Sequence, residues 1–300
     1  VFIAGMFVSA ADSYIVLFAL LGDAEEAAYA GAQKEKMVKA VEQYGWDGEW
    51  FLRAYDANGD KVGSDTCDEG KIFIEPQGMC VMAGIGKFNG MAQKALDSTR
   101  ENLLFEYGVM LNWPAFQTYH LNLGEISSYP PGYKENGSVF CHNNPWIVIA
   151  ETVLGHGDSA FDVYRRTAPA YIEDQQLHRT EPYVYSQTVN GKESFKPGEA
   201  RNSWLTGTAA WNFYAASQSI LGIKPQYEGL MIDPCLPSHM KTVSVHREFR
   251  GREYDIVIHN NSNGEKHKVS LVVDGKPVHG QMIPVTDAEK AACSVEVFVE

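Results

Sequence analysis

The sequence contains few cysteines, and their spacing argues against small metal or redox sites. Five cysteines are scattered along 300 residues without any Cys-x-x-Cys pair: Cys67, Cys80, Cys141, Cys235 and Cys293. A zinc knuckle or a thioredoxin-like pair needs closely spaced cysteines, so neither is expected. Scattered cysteines in an odd number indicate free, largely buried thiols, and they favour a cytoplasmic protein.

Positive charge is also scarce. The 25 Lys and Arg residues are outnumbered by 38 Asp and Glu residues, so the formal charge is −13, and no basic run occurs. Nucleic-acid partners are therefore not expected, because phosphate backbones bind clustered Lys and Arg. A neutral sugar is compatible with such a surface, whereas an anion site would have to be built locally.

Three kinds of chemical motif are absent. The sequence has no nucleophile elbow of the Ser-His-Asp hydrolases, no nucleotide-binding glycine loop and no metal-ligand spacing. We therefore expect neither a metal nor a bound cofactor.

The first twenty or so residues are apolar but lack a basic leader, so they do not resemble a secretory signal. Their length is nominally sufficient for a membrane span. However, Ser9, Asp12 and Ser13 interrupt the run, and no Lys or Arg flanks it. We predict a helix buried between two layers of other helices, and no membrane. Because the pattern begins abruptly at Val1, we expect the chain to be the C-terminal part of a longer protein.

The hydrophobic period changes once along the chain. Residues 1–230 show helical spacing and predict mainly paired helices, whereas residues 231–300 alternate with a period of two. The alternating segments lie at 242–245, 255–258, 269–273 and 295–299, and Asn263-Gly264 and Asp274-Gly275 are turn signals. This predicts a mainly α protein that ends in a small antiparallel β domain. Paired helices with long loops are typical of an α/α toroid.

A long, mostly irregular stretch from Tyr119 to Trp146 is the strongest candidate for a functional loop. Pro130-Pro131-Gly132 excludes a helix across its middle. Long loops within compact domains are usually functional. Within the loop, Glu125, Tyr129, Lys134 and Glu135 could bind sugar hydroxyls, although each taken singly could equally be a solvated loop residue.

Two further segments could bind an anion. Thr206 and Gly207 precede a predicted helix, and the first amides of a helix attract anions. An ordinary capped helix would explain the same residues. His142 could donate a hydrogen bond or carry a charge, or it could simply be a satisfied, partly buried histidine.

Other groups leave the reaction open. Gln187, in a polar loop with several tyrosines, could bind sugar hydroxyls. Glu125 with Glu135, or either one with Glu75, could form the carboxylate pair of a glycoside hydrolase, but sequence spacing does not give their separation.

Several longer motifs resemble the C-terminal half of glycoside hydrolase family 94, and in particular its cellobiose phosphorylases. They are IFIEPQGMCVMAGIG, LGEISSYPPGYKENGSVFCHNNPW, EPYVYSQTVNGK, ARNSWLTGTAAWNF and GIKPQYEGLMIDPCLP, which lie in that order from residue 72 to residue 237. The resemblance implies an incomplete (α/α)6 barrel over residues 1–230 and a small antiparallel β-sandwich over residues 231–300.

The resemblance also implies an activity, namely inverting phosphorolysis of cellobiose to α-glucose 1-phosphate and glucose, with inorganic phosphate as co-substrate. His142, Thr206 and Gly207 match phosphate-binding positions. The positions that match sugar contacts are Glu125, Tyr129, Lys134, Glu135 and Gln187. The family's general acid, an aspartate, is expected upstream of Val1, so this chain would contain part of a site and be inactive alone. The full-length protein is expected to be a homodimer.

Three alternatives remain open. Within the family, N,N′-diacetylchitobiose or cellobionate could replace cellobiose. A glucoamylase-like hydrolase on the same toroid would use two carboxylates and water. A non-catalytic fragment would bind sugar without turnover.

Overall fold

The structure is a computed structural model that describes residues 1–266, 268–285 and 292–300. Eight α-helices form its first part: α1 Phe2–Leu20, α2 Ala24–Tyr44, α3 Ile74–Met82, α4 Met91–Leu103, α5 Asn144–Leu154, α6 Gly157–Thr167, α7 Gln175–His178 and α8 Thr208–Tyr214. A π-helix, Ala215–Ile220, continues α8, and three short 3-10 helices lie at Gly124–Ser128, Cys141–Asn143 and Pro169–Tyr171.

Short antiparallel strands connect these helices. Three two-stranded pairs are β1 Ala54–Tyr55 with β2 Lys61–Val62, β3 Ile72–Phe73 with β6 Asn112–Trp113, and β4 Leu104–Phe105 with β5 Gly108–Val109. A three-stranded sheet joins β7 Val139–Phe140, β8 Ser186–Val189 and β9 Ala200–Ser203 in that order.

Two larger sheets form the last part of the chain. One contains β10 Ile223–Pro225, β11 Gly229–Ile232 and β16 Met282–Pro284. The other contains β12 Thr242–Phe249, β13 Arg252–Asn260, β14 Val269–Val273, β15 Lys276–Val278 and β17 Ala292–Val299, in the order β12-β13-β17-β14-β15. The four alternating segments all lie in these strands, which confirms the period-two prediction.

The prediction of a purely antiparallel domain is wrong for one pair. Strands β13 and β17 run parallel, with Glu253 opposite Ala292 and Asn260 opposite Val299. Alternation along a strand defines its two faces but not the direction of its neighbour. The predicted boundary at residue 230 also falls inside β11, which pairs with β16.

The helices pack as neighbouring pairs around α3 and α5. Helix α1 contacts α2 and α3, α3 contacts α4 and α5, and α5 contacts α6. Close approach of α3 and α5 depends on Gly78, where an added Cβ would lie 2.9 Å from the Cβ of Trp146. A complete ring of six helix pairs remains a prediction.

Helix α1 is not buried between two layers of helices, as the sequence had suggested. It buries Gly5, Val8 and Ala11, whereas Ile3 on its other side is 66% exposed. Helices α2 and α3 cover one side, and apolar residues continue around the helix. By length and composition alone α1 could cross a membrane, with a mean hydropathy of 1.8. The absence of a membrane therefore remains a prediction.

Local signals explain where several helices begin and end. Asp23 caps α2 by accepting a hydrogen bond from the Glu26 amide at 3.0 Å, and Gly45 follows its last turn. Helix α3 begins at Ile74, and Pro76 lies in its first turn, where the missing amide hydrogen costs little.

Candidate functional site

His142 lies in the 3-10 helix Cys141–Asn143, directly before α5. Its ring packs edge-on against Phe140 and Trp146, with centroid distances of 5.0 and 5.5 Å. Burial lowers the pKa of His142, so the imidazole is neutral at neutral pH and can donate one hydrogen bond.

Asn144 lies at the start of α5. It is the first helical residue, and Asn143 precedes the helix. Its side-chain oxygen accepts from the Val109 amide at 2.7 Å, and its nitrogen donates to the Val109 carbonyl at 3.0 Å. This completely buried side chain ties the His142 segment to β5.

The second predicted phosphate segment precedes α8. Gly207 is the residue before the helix, and Thr208 is the first helical residue. The Thr206 hydroxyl accepts from the Thr208 amide at 3.2 Å and lies 2.5 Å from the Thr208 hydroxyl. A Cβ added at Gly207 would meet one atom within 4 Å, Trp211 Cδ1 at 3.8 Å, so the backbone there is open to approach.

The structure brings these two segments together. Helix α8 contacts the 3-10 helix that carries His142. Trp146, one turn after His142, packs edge-on against Trp211 of α8 at a centroid distance of 5.9 Å. Phosphate binding at this place remains a prediction, but the two segments lie side by side as it requires.

The sheet β7–β8–β9 explains this convergence. Strand β7 leads directly to His142, and β9 ends at Ser203, three residues before Thr206. Gln187 lies in the central strand β8, and its side-chain oxygen accepts from Asn202 Nδ2 at 2.9 Å. The sheet therefore links the candidate sugar residue Gln187 to both candidate phosphate segments.

Three sugar-binding candidates in the long loop form one cluster. Tyr129 Oη donates to Glu125 Oε1 at 3.2 Å. The Nζ atom of Lys134 lies 5.2 Å from the centroid of the Tyr129 ring. Lys134 has a φ of 46°, a conformation that costs energy for a side chain of its size. Glu125 and Lys134 are exposed, so the cluster presents one carboxylate, one ammonium and one phenol to solvent.

Glu135 lies between this cluster and the buried Glu75, since burial raises the pKa of both Tyr129 and Glu75 and the charge of Glu135 adds to the rise in each. Its Oε2 atom is buried and has no hydrogen-bond partner among the described residues. Glu75, at the start of α3, is likewise buried, with one oxygen 2.7 Å from Arg53 Nη1 and the other without a partner in the described part of the chain. Burial raises the pKa of Glu75, the Arg53 charge opposes this rise, and the charge of Glu135 adds to it. Glu75 and Glu135 thus belong to one buried electrostatic cluster.

Buried hydrogen bonds hold the long loop that carries these residues. Asn136 is completely buried, and its side chain accepts from the Phe116 amide at 2.7 Å and donates to the carbonyls of Phe116 and Tyr129 at 2.8 and 2.7 Å. The Gly191 amide donates to the Gly132 carbonyl at 2.9 Å. Long loops are usually mobile, but this one is held by buried backbone contacts.

Sequence reasoning missed Arg53, Trp146 and Trp211 as parts of this region. Both tryptophans lie in apolar helical segments that are typical of core packing, and Arg53 lies far from the loop in sequence. Their roles depend on contacts across more than twenty residues, for which the local pattern carries no signal.

The cysteine and metal predictions can also be compared with the structure. Cys67, Cys80, Cys141 and Cys235 are free thiols, and Cys80, Cys141, Cys235 and Cys293 are buried, as predicted. Burial raises the pKa of Cys80, Cys141 and Cys235 to about 12, so these thiols are not nucleophiles. Among residues 1–266, 268–285 and 292–300, no group of three or more potential ligands could hold a metal ion.

Comparison with known proteins identifies related sequences. N,N'-diacetylchitobiose phosphorylase of Vibrio proteolyticus is 33% identical over 279 residues, which are 92% of this chain and 35% of that protein. Solabiose phosphorylase of Paenibacillus borealis is 34% identical over 253 residues, which are 83% of this chain and 33% of that protein. N,N'-diacetylchitobiose phosphorylase of Vibrio furnissii is 36% identical over 244 residues, which are 80% of this chain and 30% of that protein. The chain thus spans about a third of the length of these relatives.

A solved structure of a sialidase shares the fold, with a TM-score of 0.56 and 11% sequence identity over 81% of this chain and 22% of that one. The family comparison is more specific: the model for the catalytic domain of the glycosyl hydrolase 94 superfamily matches residues 1–222. That match covers most of the chain, including every candidate site residue, and the chain therefore belongs to the glycosyl hydrolase 94 superfamily.

Proposed function

We propose that this chain is the C-terminal part of a disaccharide phosphorylase. The enzyme would cleave a β-linked disaccharide with inorganic phosphate and release an α-sugar 1-phosphate and a free sugar, with inversion at the anomeric carbon. One observation carries the proposal: the His142 segment and the Thr206-Gly207 turn lie side by side.

In this proposal the phosphate binds between those two segments. The Thr206 hydroxyl and the amides at the start of α8 donate to phosphate oxygens, and the open backbone at Gly207 permits close approach. The neutral imidazole of His142 adds one donor. The protein carries a net charge of −13, which repels an anion. This local concentration of donors therefore has to outweigh the repulsion between phosphate and the negative charge of the protein.

The disaccharide would bind beside the phosphate, between the long loop and β8. Glu125, Tyr129 and Lys134 form the exposed cluster, and Gln187 lies in β8, the central strand between β7 and β9, which lead to the two phosphate segments. Carboxylate, phenol and amide groups bind sugar hydroxyls through paired hydrogen bonds. Glu135 would contribute from the buried side of the same loop.

Such a reaction needs one catalytic carboxyl group. An inverting hydrolase uses a second carboxylate to deprotonate water, but phosphate is already an anionic nucleophile. We propose that the general acid is an aspartate upstream of Val1. The 300-residue chain alone would then be inactive.

Two disaccharides are the leading candidates. The motif from Leu123 to Trp146 favours cellobiose, whereas two of the relatives are named N,N'-diacetylchitobiose phosphorylases. These sugars share the β-1,4 linkage and differ at C2, where acetamido groups replace hydroxyls. Cellobionate is a third candidate, and a cation facing the acceptor C1, such as Lys134, would favour it.

The decisive experiment incubates the full-length protein with each disaccharide in the presence and absence of inorganic phosphate. We expect release of an α-sugar 1-phosphate that depends strictly on phosphate, and none from the 300-residue chain. Sugar release without phosphate would instead indicate a glucoamylase-like hydrolase. Binding without turnover by the full-length protein would indicate a carbohydrate-binding protein. We further expect a cytoplasmic homodimer without a metal or bound cofactor.

A further inference from the structure

Trp204 has a conformation that folding alone does not explain. It lies between β9 and the Thr206-Gly207 turn, with a backbone φ of 73°. A bulky side chain is strained in this left-handed region, where glycine is favoured. The Trp204 side chain is 71% exposed, so it contributes little packing that would offset the strain.

Hydrogen bonds with neighbouring residues of the candidate site hold the backbone around Trp204. The Trp204 amide donates to the Tyr185 carbonyl at 3.2 Å, and the Thr206 amide donates to the Trp204 carbonyl at 2.9 Å. Two residues earlier, Asn202 also has a positive φ, 55°, and its side chain donates to Gln187. Strained residues of this kind concentrate at binding sites, where the surrounding structure holds them for function.

The indole is also held in one direction. Its Nε1 atom donates to Glu181 Oε1 at 3.3 Å, and this contact orients the exposed ring. Hydrogen bonds, the largest of which comes from Ser203, lower the pKa of Glu181, and its carboxylate therefore stays ionised and can accept further hydrogen bonds. The result is a fixed apolar ring face with a hydrogen-bond acceptor at its edge.

We propose that Trp204 is a specificity-determining residue that stacks on a pyranose ring of the disaccharide, with Glu181 accepting a hydroxyl of the same ring. The apolar C–H face of a β-linked sugar fits an indole face, while its equatorial hydroxyls point to the edge. The location supports this, since Trp204 lies two residues from the phosphate candidate Thr206 and next to the strand of Gln187. This inference rests on the proposed function for the identity of the sugar.

The test is Trp204→Gly in the full-length protein. Glycine adopts a φ of 73° without strain, so we expect an unchanged or higher Tm. We expect the KM for the disaccharide to rise by about tenfold or more, while the KM for phosphate changes by less than about twofold. Trp204→Phe keeps an aromatic face and should retain most of the affinity for the disaccharide.

Phe88→Ala is the matched control. Phe88 is 95% exposed and lies beyond the C-terminal end of α3, whereas Glu75 lies at the N-terminal end. Loss of its ring should therefore change neither the KM for the disaccharide nor the KM for phosphate. An unchanged disaccharide KM in Trp204→Gly would overturn the inference. A lower Tm with both KM values raised would overturn it too, because it would show that Trp204 is a structural contact in the longer protein.

Failure of the proposed function can be recognised separately. If the wild-type full-length protein shows no phosphorolysis, equilibrium binding of cellobiose and N,N′-diacetylchitobiose by calorimetry replaces KM in the same comparison. Weaker sugar binding by Trp204→Gly would then support the role of Trp204 although the phosphorylase proposal had failed, and equal binding would contradict it.

Discussion

The imidazole of His142 lies edge-on against the indole of Trp146, with 5.5 Å between the ring centroids. Trp146 in turn stacks on Phe2 of α1 at 5.6 Å and meets Trp211 of α8 at 5.9 Å. Aromatic pairs of this geometry are mildly favourable and sterically specific. Rings from α1 and α8 thus pack against the α5 indole, which in turn contacts the candidate phosphate ligand His142.

Substitution of Gly207 should separate phosphate binding from folding. Its φ is −84°, and an added Cβ would meet Trp211 Cδ1 at 3.8 Å, an ordinary van der Waals distance. Gly207→Ala should therefore leave Tm nearly unchanged. If phosphate lies against this backbone, the methyl group should raise the phosphate KM by roughly tenfold or more, with less effect on the disaccharide KM. An unchanged phosphate KM would show that the anion binds elsewhere.

A pair of helix glycines should respond in opposite directions to alanine. At Gly78 an added Cβ would lie 2.9 Å from Trp146 Cβ, so Gly78→Ala should force α3 away from α5 and destabilise the protein by about 1–3 kcal/mol. At Gly31, within α2, nothing lies within 4 Å of the added Cβ. Gly31→Ala should stabilise by about 0.5–1 kcal/mol through helix propensity. Chemical denaturation of both variants measures the difference, and equal effects would contradict the packing of α3 on α5.

Sequence patterns located those elements whose signals are local. Asp23 and Gly45 delimit α2, and signals of this kind are local because a cap and a terminating glycine act within one turn. The turn at Asp274-Gly275 joins β14 to β15, with both residues at positive φ as a two-residue hairpin requires. The approach of the His142 segment to α8 was predicted through resemblance to a family, since the local residues were equally compatible with an ordinary capped helix.

The features that were missed all depend on distant partners. Alternation in β13 and β17 defined their faces, but their parallel pairing depends on how the intervening chain returns. Asparagine is a residue type that often caps helices, but the role of Asn144 is set by its hydrogen bond with Val109, 35 residues away. The exposed side of α1 was not expected either, because an apolar run does not reveal which neighbours cover it.

The pair His156–Glu151 should make stability depend on pH. His156 Nδ1 lies 2.7 Å from Glu151 Oε2, and Arg100 lies on the other oxygen at 2.5 Å. The hydrogen bond to Glu151 raises the pKa of His156 above its usual value, with Glu265 adding to the rise while burial and Arg100 oppose it. The folded protein therefore binds this proton more tightly than the unfolded chain. Its stabilisation is complete below the unfolded pKa of about 6.5 and is lost as the pH rises through the folded pKa.

His156→Gln should accordingly lower Tm more at about pH 5.5 than at about pH 8.5. The control is His246→Gln, because His246 makes a similar contact with Asp255, at 2.8 Å, but both side chains are exposed. Solvent screens such a pair, so its removal should have little effect at either pH. A Tm difference for His156→Gln that is independent of pH would show that the buried pair acts through packing rather than through its proton.

The segment Asn190–Glu199 should control sugar binding without touching sugar. It crosses behind the long loop, where an added Cβ at Gly191 would lie 1.9 Å from the Gly137 carbonyl oxygen and one at Gly132 would lie 2.3 Å from the Ser194 amide nitrogen. Two backbones can approach this closely only where side chains are absent.

Gly191→Ala should therefore displace the loop that carries Lys134 and Glu135. The disaccharide KM should rise by roughly tenfold, while the phosphate KM stays nearly constant, because His142 and Gly207 are held by the sheet β7–β8–β9. Lys196→Ala, at an exposed position of the same segment, should change neither value. Equal losses for both substrates in Gly191→Ala would mean that the two halves of the site move as one body.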